Sequence, residues 1–344
     1  MQDCIHSEAS APGVPDMPMP FRFLSEHDVR ALVTAEDLVP VMEDALRAFS
    51  TGRMTQPPRT SLWVGEERAF YGLMPAYLPA RGALGTKLIT YFAANPARGL
   101  PAHFATIVLL DSITGALVAL MDGSYITKIR TAAVSSLAVR HLAPRPVRRL
   151  AIFGCGVQAR GHLSTLACLL PSLDDVRVWS PYDELAGFVT DMAGRVGPAV
   201  RAARSAEDAA RGADVVITVT SSPVPVVRRE WVDEGTLVIA VGACRPEHRE
   251  LDPGLTSSSR LFVDSREAAL AESGDVIQGI AEGRFGAGHI RAELGEVMAG
   301  LAPAGAPGGT VVFKSLGLAV EDVAAADLVY RRALAHDAGV ELSL

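Results

Sequence analysis

At 344 residues the chain is long enough for two domains, each with a core of its own. Its 49% hydrophobic and 21% charged residues suit a globular enzyme, and a net charge of −7 gives no basic footprint for nucleic acid. No apolar run reaches the roughly 18–20 residues that cross a bilayer, and Cys4, Cys155, Cys168 and Cys244 show no disulfide or zinc spacing, which suits a reducing cytoplasm.

Met1–Pro20 is rich in Pro, Ser and Ala, without a charged start or an apolar core, and reads as a mobile tail rather than a signal peptide. Ser25-Glu26-His27-Asp28 and Thr34-Ala35-Glu36-Asp37 are N-cap signals ahead of two helices. Leu38, Val41, Met42, Ala45, Leu46 and Phe49 give the second helix a buried face. Strand signals follow at Ser61–Val64, Ala69–Met74, Leu84–Ala93, Phe104–Leu110 and Ala116–Met121. Strands joined directly by turns predict an antiparallel or mixed sheet.

Tyr125–Leu142, Ala-rich and free of Pro and Gly, reads as one long helix closed by Ala143-Pro144-Arg145-Pro146. The apolar run Leu150–Phe153 then enters Gly154-Cys155-Gly156-Val157-Gln158-Ala159 and a helical stretch. This is a G-x-G-x-x-A dinucleotide fingerprint in its proper strand–turn–helix setting. Gly154 allows the turn, Gly156 lets a pyrophosphate reach the backbone, and Ala159 keeps helix and strand close. Alternating helices and apolar strands at Val176–Trp179, Asp214–Thr220, Thr236–Val241 and Arg260–Asp264 predict a doubly wound sheet. Pro303–Gly309 ends it, and Thr310–Phe313 and Val320–Ala335 supply a last strand and helix.

Lys87 lies in the otherwise uncharged strand Ala83–Tyr91. It is either a solvated edge lysine or a buried one whose pKa desolvation brings toward a useful range. Arg59 and Arg130 are candidate forks for a carboxylate or phosphate, and His103 is a proton carrier or a structural histidine. The carboxylate expected about 20 residues past the fingerprint, on the ribose hydroxyls, is absent. Ser180 stands there with Pro181 beside it, so neither coenzyme is selected by charge.

In order along the chain, Gln56-Pro57-Pro58-Arg59-Thr60, Met74-Pro75-Ala76-Tyr77, Thr86-Lys87-Leu88, Met121-Asp122-Gly123 and Arg130-Thr131-Ala132-Ala133-Val134-Ser135 precede the fingerprint. Ala240-Val241-Gly242-Ala243-Cys244-Arg245-Pro246, Glu272-Ser273-Gly274-Asp275-Val276, Ala292-Glu293-Leu294-Gly295-Glu296-Val297 and Phe313-Lys314-Ser315-Leu316-Gly317 follow it. With these motifs the chain resembles the ornithine cyclodeaminase/mu-crystallin family from about Phe21 to the last helix. The resemblance implies an α/β protein in which a Rossmann doubly wound domain (131–309) is inserted into a discontinuous α+β domain (21–130 and 310–344). That first domain would bind substrate and dimerise through its sheet.

It also implies hydride transfer at the α-carbon of a small imino or amino acid, with NAD(P)(H) as cofactor and no metal. Arg59, Lys87 and Arg130 would gather the substrate, with Lys87 at the reacting nitrogen. Arg130, Thr131, Gly154, Gly156, Val157 and Gln158 would contact the cofactor, as would Ser180, Thr220, Val241, Gly242 and Ser315. His103, Cys244 and Glu293 are further candidates.

Cyclodeaminases of the family carry a glutamate just before Met-Pro and an aspartate after the fourth Rossmann strand. Gly72 and Cys244 occupy those places here. Neither can counter a distal ammonium, so a reductase of cyclic ketimines, of the mu-crystallin branch, is favoured over a cyclodeaminase. An alanine-type dehydrogenase and a non-catalytic ligand binder of crystallin type are the alternatives.

Overall fold

The computed structural model describes residues 19–65, 69–305 and 308–344. All but the last two residues of the expected tail Met1–Pro20 lie outside these, and Pro20 opens a strand rather than ending a tail.

The strands of the first sheet are β1 (Pro20–Leu24), β2 (Thr60–Val64), β3 (Ala69–Leu78), β4 (Ala83–Tyr91), β5 (His103–Asp111) and β6 (Leu117–Asp122). The second sheet contains β7 (Arg149–Phe153), β8 (Asp175–Trp179), β9 (Ala199–Ala202), β10 (Val215–Thr218), β11 (Leu237–Ala240), β12 (Arg260–Val263), β13 (Ile290–Glu293) and β14 (Val311–Lys314). A C-terminal strand, β15 (Val340–Ser343), returns to the first sheet. The helices are α1 (Glu26–Leu32), α2 (Ala35–Ser50), α3 (Ser124–Leu142), α4 (Val157–Leu169), α5 (Glu184–Ala193) and α6 (Ala206–Ala210). After them come α7 (Pro253–Ser258), α8 (Arg266–Glu272), α9 (Gly274–Ala281), α10 (Leu294–Met298) and α11 (Ala319–His336). Ser25 and Thr34 close capping boxes on α1 and α2, as their sequence signals predict.

The first sheet runs β15-β1-β6-β5-β4-β3-β2 and is mixed: β1 pairs parallel with β6, and the meander from β2 to β6 is antiparallel. Its register decides where Lys87 goes. Met74 and Ile107 are the cross-strand partners of Lys87, and both are buried. Side chains alternate across a sheet, so Ala83, Gly85 and Lys87 all face the core that α11 covers. β4 is an interior strand, which excludes the solvated-edge reading.

The second sheet runs β13-β12-β14-β11-β10-β7-β8-β9, parallel throughout. From β7 the chain winds out through β8 and β9, then returns to the other side of β7 with β10. That reversal is the switch point at which doubly wound sheets bind ligands. One expectation is corrected: β14 does not join the first domain but lies between β11 and β12. A four-residue apolar strand carries no signal for which sheet it enters. What returns to the first sheet is α11, packed on β3, β4 and β5, together with β15.

A cut between residues 130 and 131 would fall inside α3, which is continuous. This helix is buried on nearly all sides, packing on α2, α4 and α11. Its small residues Ala132, Ala133, Ser135 and Ser136 let those neighbours approach, so it belongs to both cores.

Candidate active site

A buried cluster of charged side chains is assembled where α11 begins. Its run Leu318-Ala319-Val320-Glu321-Asp322-Val323 is apolar apart from two carboxylates, and both are fully buried. Carboxylates suit the first turn of a helix, but burial requires cations as well. Lys87 Nζ lies 2.6 Å from Asp322 Oδ2. Arg130 reaches over from α3, donating from Nε to Asp322 Oδ1 at 3.0 Å and from Nη1 to Glu321 Oε2 at 2.7 Å. Gln56 Oε1 accepts the backbone N–H of Val320 at 2.8 Å, tying the Gln-Pro-Pro-Arg segment to the same turn.

Arg59 donates from Nη2 to the carbonyls of Leu316 and Gly317, 3.2 Å each, and its Nη1 lies 3.6 Å from Glu272 on α8. Gly317 must be glycine: its φ is +81°, and a Cβ would stand 2.6 Å from Arg130 Nη1. The loop is fixed from behind by buried Asp264, which accepts the N–H groups of Leu316 at 2.5 Å and Gly317 at 2.7 Å. A cavity of about 80 Å³ opens beside this group, lined by Gln56, Arg59, Met74, Glu272 and Gly317 among others.

Burial lowers the Lys87 ammonium to about 8, Asp322 resisting the shift and Arg130 adding to it. Burial works to raise Asp322 too, but Arg130 and Lys87 hold it below the usual carboxylate range. Lys87 is thus a cation poised to share its proton, with a fixed anion behind it.

The second part lies at the switch point. Gly154, at φ +111°, ends β7, where a Cβ would meet Val219 O at 3.0 Å. Gly156 caps α4 without any side-chain hydrogen bond, no acid stands in the first turn, and nothing lies within 4 Å of where its Cβ would be. The helix therefore presents free N–H groups and an open approach, which fits a pyrophosphate. Ala159 is fully buried against the sheet, Val157 is exposed at the entrance, and Ser180 closes β8.

Across the crevice, Glu250 Oε1 accepts both Thr220 N and Thr220 Oγ1, at 2.7 and 2.8 Å. Its Oε2 accepts Gly242 N at 2.7 Å and Ala243 N at 3.1 Å. One buried carboxylate thus ties the loops after β10 and β11 together. Val241 follows β11 within the second of these loops, and Ser315, one residue past β14, donates to Asp264. These residues fit a dinucleotide. The site gives a clean test, because a Cβ at Gly156 has no atom within 4 Å and Gly156→Val should fold. We expect coenzyme affinity to fall about ten- to a hundredfold through lost backbone contacts to the pyrophosphate, measured by fluorescence titration of NADH. Unchanged affinity would remove the pyrophosphate from this turn.

Of the residues singled out in the sequence, Arg59, Lys87 and Arg130 do converge. Thr131 follows Arg130 on α3 and donates to Thr127 O. Gln158 serves through its carbonyl, which accepts from His162 Nδ1 at 2.8 Å. His162 Nε2 meets Ser135 Oγ at 2.9 Å, and burial lowers its pKa to about 4, so this pair is a neutral pin between α3 and α4.

His103 is not beside Lys87. It opens β5 opposite Tyr91, four residues from Lys87 and thus about 13 Å along the strand. Its ring is tilted on Tyr91 at 4.6 Å, and Arg245 lies over the same tyrosine at 4.8 Å. Cys244 donates to Val241 O, and burial pushes its thiol pKa up. Glu293 is not in the cluster either: it caps α10 and accepts from Ser50 Oγ at 2.7 Å and Arg266 N at 2.9 Å. The acid that does face Arg59 is Glu272.

Sequence reasoning missed Glu321, Asp322, Asp264 and Glu250. For the first two a signal existed, since adjacent acids inside a buried Val/Ala run demand cations. Among the described residues no cluster of metal-ligating side chains occurs, and no helix is long and apolar enough to cross a membrane.

This architecture has close relatives. The ketimine reductase mu-crystallin of Rattus norvegicus is 45% identical over 312 residues, covering 90% of this chain and 96% of its own. The structure of Thermococcus litoralis Δ1-pyrroline-2-carboxylate reductase in complex with NADH and L-proline superposes with a TM-score of 0.90 at 35% identity, over 93% of this chain and 99% of that one. An archaeal alanine dehydrogenase dimer with bound NAD gives 0.88 at 32% identity, over 94% and 99%. Residues 21–337 match the sequence pattern of one family across nearly the whole fold, and the chain belongs to it: the Ornithine cyclodeaminase/mu-crystallin family.

Proposed function

We propose that the protein is an NAD(P)H-dependent reductase of small cyclic ketimine carboxylates, of the pyrroline- or piperideine-2-carboxylate kind. The observation that carries this reading is the meeting of Lys87 and Arg130 on the buried Glu321–Asp322 pair, with Arg59 beside a small cavity. Arg59 and Arg130 bind the substrate carboxylate as charge-assisted forks. Lys87, held charged by Asp322, donates to the imine nitrogen and keeps the C=N bond polarised. A bound nicotinamide supplies the hydride. Burial of the cluster excludes water from the reacting bond, and the two arginines fix the face of the substrate presented to the coenzyme.

The same reading favours ketimines over diamines. Gly72 offers no side chain, and the Cys244 thiol is held neutral, so the distal ammonium of ornithine would enter without a counter-ion. Coenzyme oxidation should therefore proceed with pyrroline-2-carboxylate, while ammonia release from ornithine with NAD+ on the same preparation should be at least about a hundredfold slower, the penalty of an unpaired charge. A cyclodeaminase rate equal to the reductase rate would return the protein to the cyclodeaminase branch.

We assign the substrate-binding part to the first sheet with α11, and the coenzyme-binding part to the parallel sheet. A homodimer through the first sheet is part of the proposal. Leu62, Trp63 and Phe104 are exposed on it, and the alanine dehydrogenase relative is described as a dimer. The free thiols Cys155, Cys168 and Cys244 fit a cytoplasmic location.

A further inference from the structure

Two carboxylates share the Arg130 guanidinium, and they are not equivalent. Asp322 has a second cation in Lys87. Glu321 has none: its Oε2 accepts from Arg130, while Oε1 is buried and receives no hydrogen bond. The charged groups facing Glu321 are Arg130 from α3, Asp264 from the end of β12 and Asp322 on its own helix, with Lys87 of β4 behind Asp322. Two of those four are anions. A substrate carboxylate arriving at Arg130 would add a third negative charge on the same guanidinium, in a place from which water is excluded. The cheapest relief is to neutralise the carboxylate with the fewest partners.

We propose that binding of the substrate carboxylate is coupled to uptake of a solvent proton by Glu321, which hands its share of Arg130 to the ligand. The proton forms an O–H bond on Oε1, the oxygen that lacks a partner, and leaves when product dissociates. Glu321 is thus a positioning residue that acts through Arg130. The inference rests on the reading that Arg130 receives the substrate carboxylate. Burial raises the Glu321 carboxyl to about 7 against the pull of Arg130, with Asp264 and Asp322 adding to the rise, so little further perturbation is needed near neutrality.

The sign is fixed. Below about pH 7 Glu321 already carries its proton, and little uptake accompanies binding. Above it the free protein is ionised there, the complex is not, and affinity falls by up to about tenfold per pH unit until the pKa of the complex is reached.

The experiment is calorimetric titration of the NAD+-saturated enzyme with pyrrole-2-carboxylate, a planar ring carboxylate that cannot be reduced. It is run near pH 7.5, roughly half a unit above the free-enzyme titration, in buffers of different ionisation enthalpy. The parent should take up between about half a proton and one proton per ligand bound, and Glu321→Gln close to none. Lys87, at about 8, is the rival acceptor, and uptake through it would survive in Glu321→Gln. A second measurement reads the proton directly: in enzyme with 13C-carboxyl glutamate, a buried resonance that Glu321→Gln removes should titrate near neutrality and be held in its protonated position by the ligand. Binding without proton uptake, uptake unchanged in Glu321→Gln, or no such resonance would overturn the inference while leaving the reductase reading intact. Failure of the parent to bind either pyrrole-2-carboxylate or L-proline would overturn both.

Discussion

Lys87→Met is expected to lower kcat by about a hundredfold or more, with a smaller change in KM, because the group lost is the one that donates to the reacting nitrogen. The substitution keeps the length and apolar stem of a side chain lodged between Met74 and Ile107, so the packing of β4 is preserved. Asp322 keeps Arg130 as a partner and is not stranded. The pH profile separates a chemical role from a binding one. Burial brings Lys87 of the free protein to about 8, so the parent kcat/KM should fall as pH rises through that region and the ammonium is lost. That limb should be absent from the residual activity of the variant. A change confined to KM would demote Lys87 to substrate binding.

Arg130→Met should cost both activity and stability. Two fully buried carboxylates lean on this guanidinium, and breaking a buried ion pair by removing one partner costs about 3–5 kcal/mol. Thermal unfolding should register the loss, and turnover should fall at least about tenfold through the missing carboxylate fork. The stability loss has an internal control. Asp322 retains Lys87, so the orphan in the variant is Glu321, and adding Glu321→Gln to Arg130→Met should return part of the lost stability. Activity should not return with it, because the fork is still absent. A fully stable Arg130→Met would mean that the two carboxylates do not depend on this cation.

Much of the fold was legible because its local signals agree with the tertiary answer. The capping boxes of α1 and α2, the Ala-rich α3 and the strand–turn–helix around Gly154 and Gly156 each carry their own chemistry in a few neighbouring residues. What stayed hidden depends on partners far along the chain. β1 and β15 are short strands that exist by pairing with each other, β1 also lying against β6. β14 reads as an apolar tetrapeptide until β11 and β12 flank it.

The site divides in the same way. Lys87 stands out as a charge in an otherwise uncharged strand, and the family motifs single out Arg59 and Arg130 with it, while the acids of Lys87 and Arg130, on a helix nearly two hundred residues beyond Arg130, can be matched to them only in space. His103 and Glu293 are candidates by residue type alone. Their backbone positions, opposite Tyr91 and at the start of α10, place them elsewhere.

On the proposed reading this cluster directs hydride to the α-carbon of a ring ketimine carboxylate. The most direct measurement follows deuterium from NADH or NADPH carrying deuterium at both C4 positions, incubated with the protein and pyrroline-2-carboxylate, into the product analysed by mass spectrometry and NMR. The expected product is proline carrying a single deuterium at C2, formed as one enantiomer, with no transfer in Lys87→Met on the time scale of the parent reaction. Coenzyme oxidation without deuterium at C2, or no turnover of any cyclic ketimine carboxylate with either coenzyme, would contradict it.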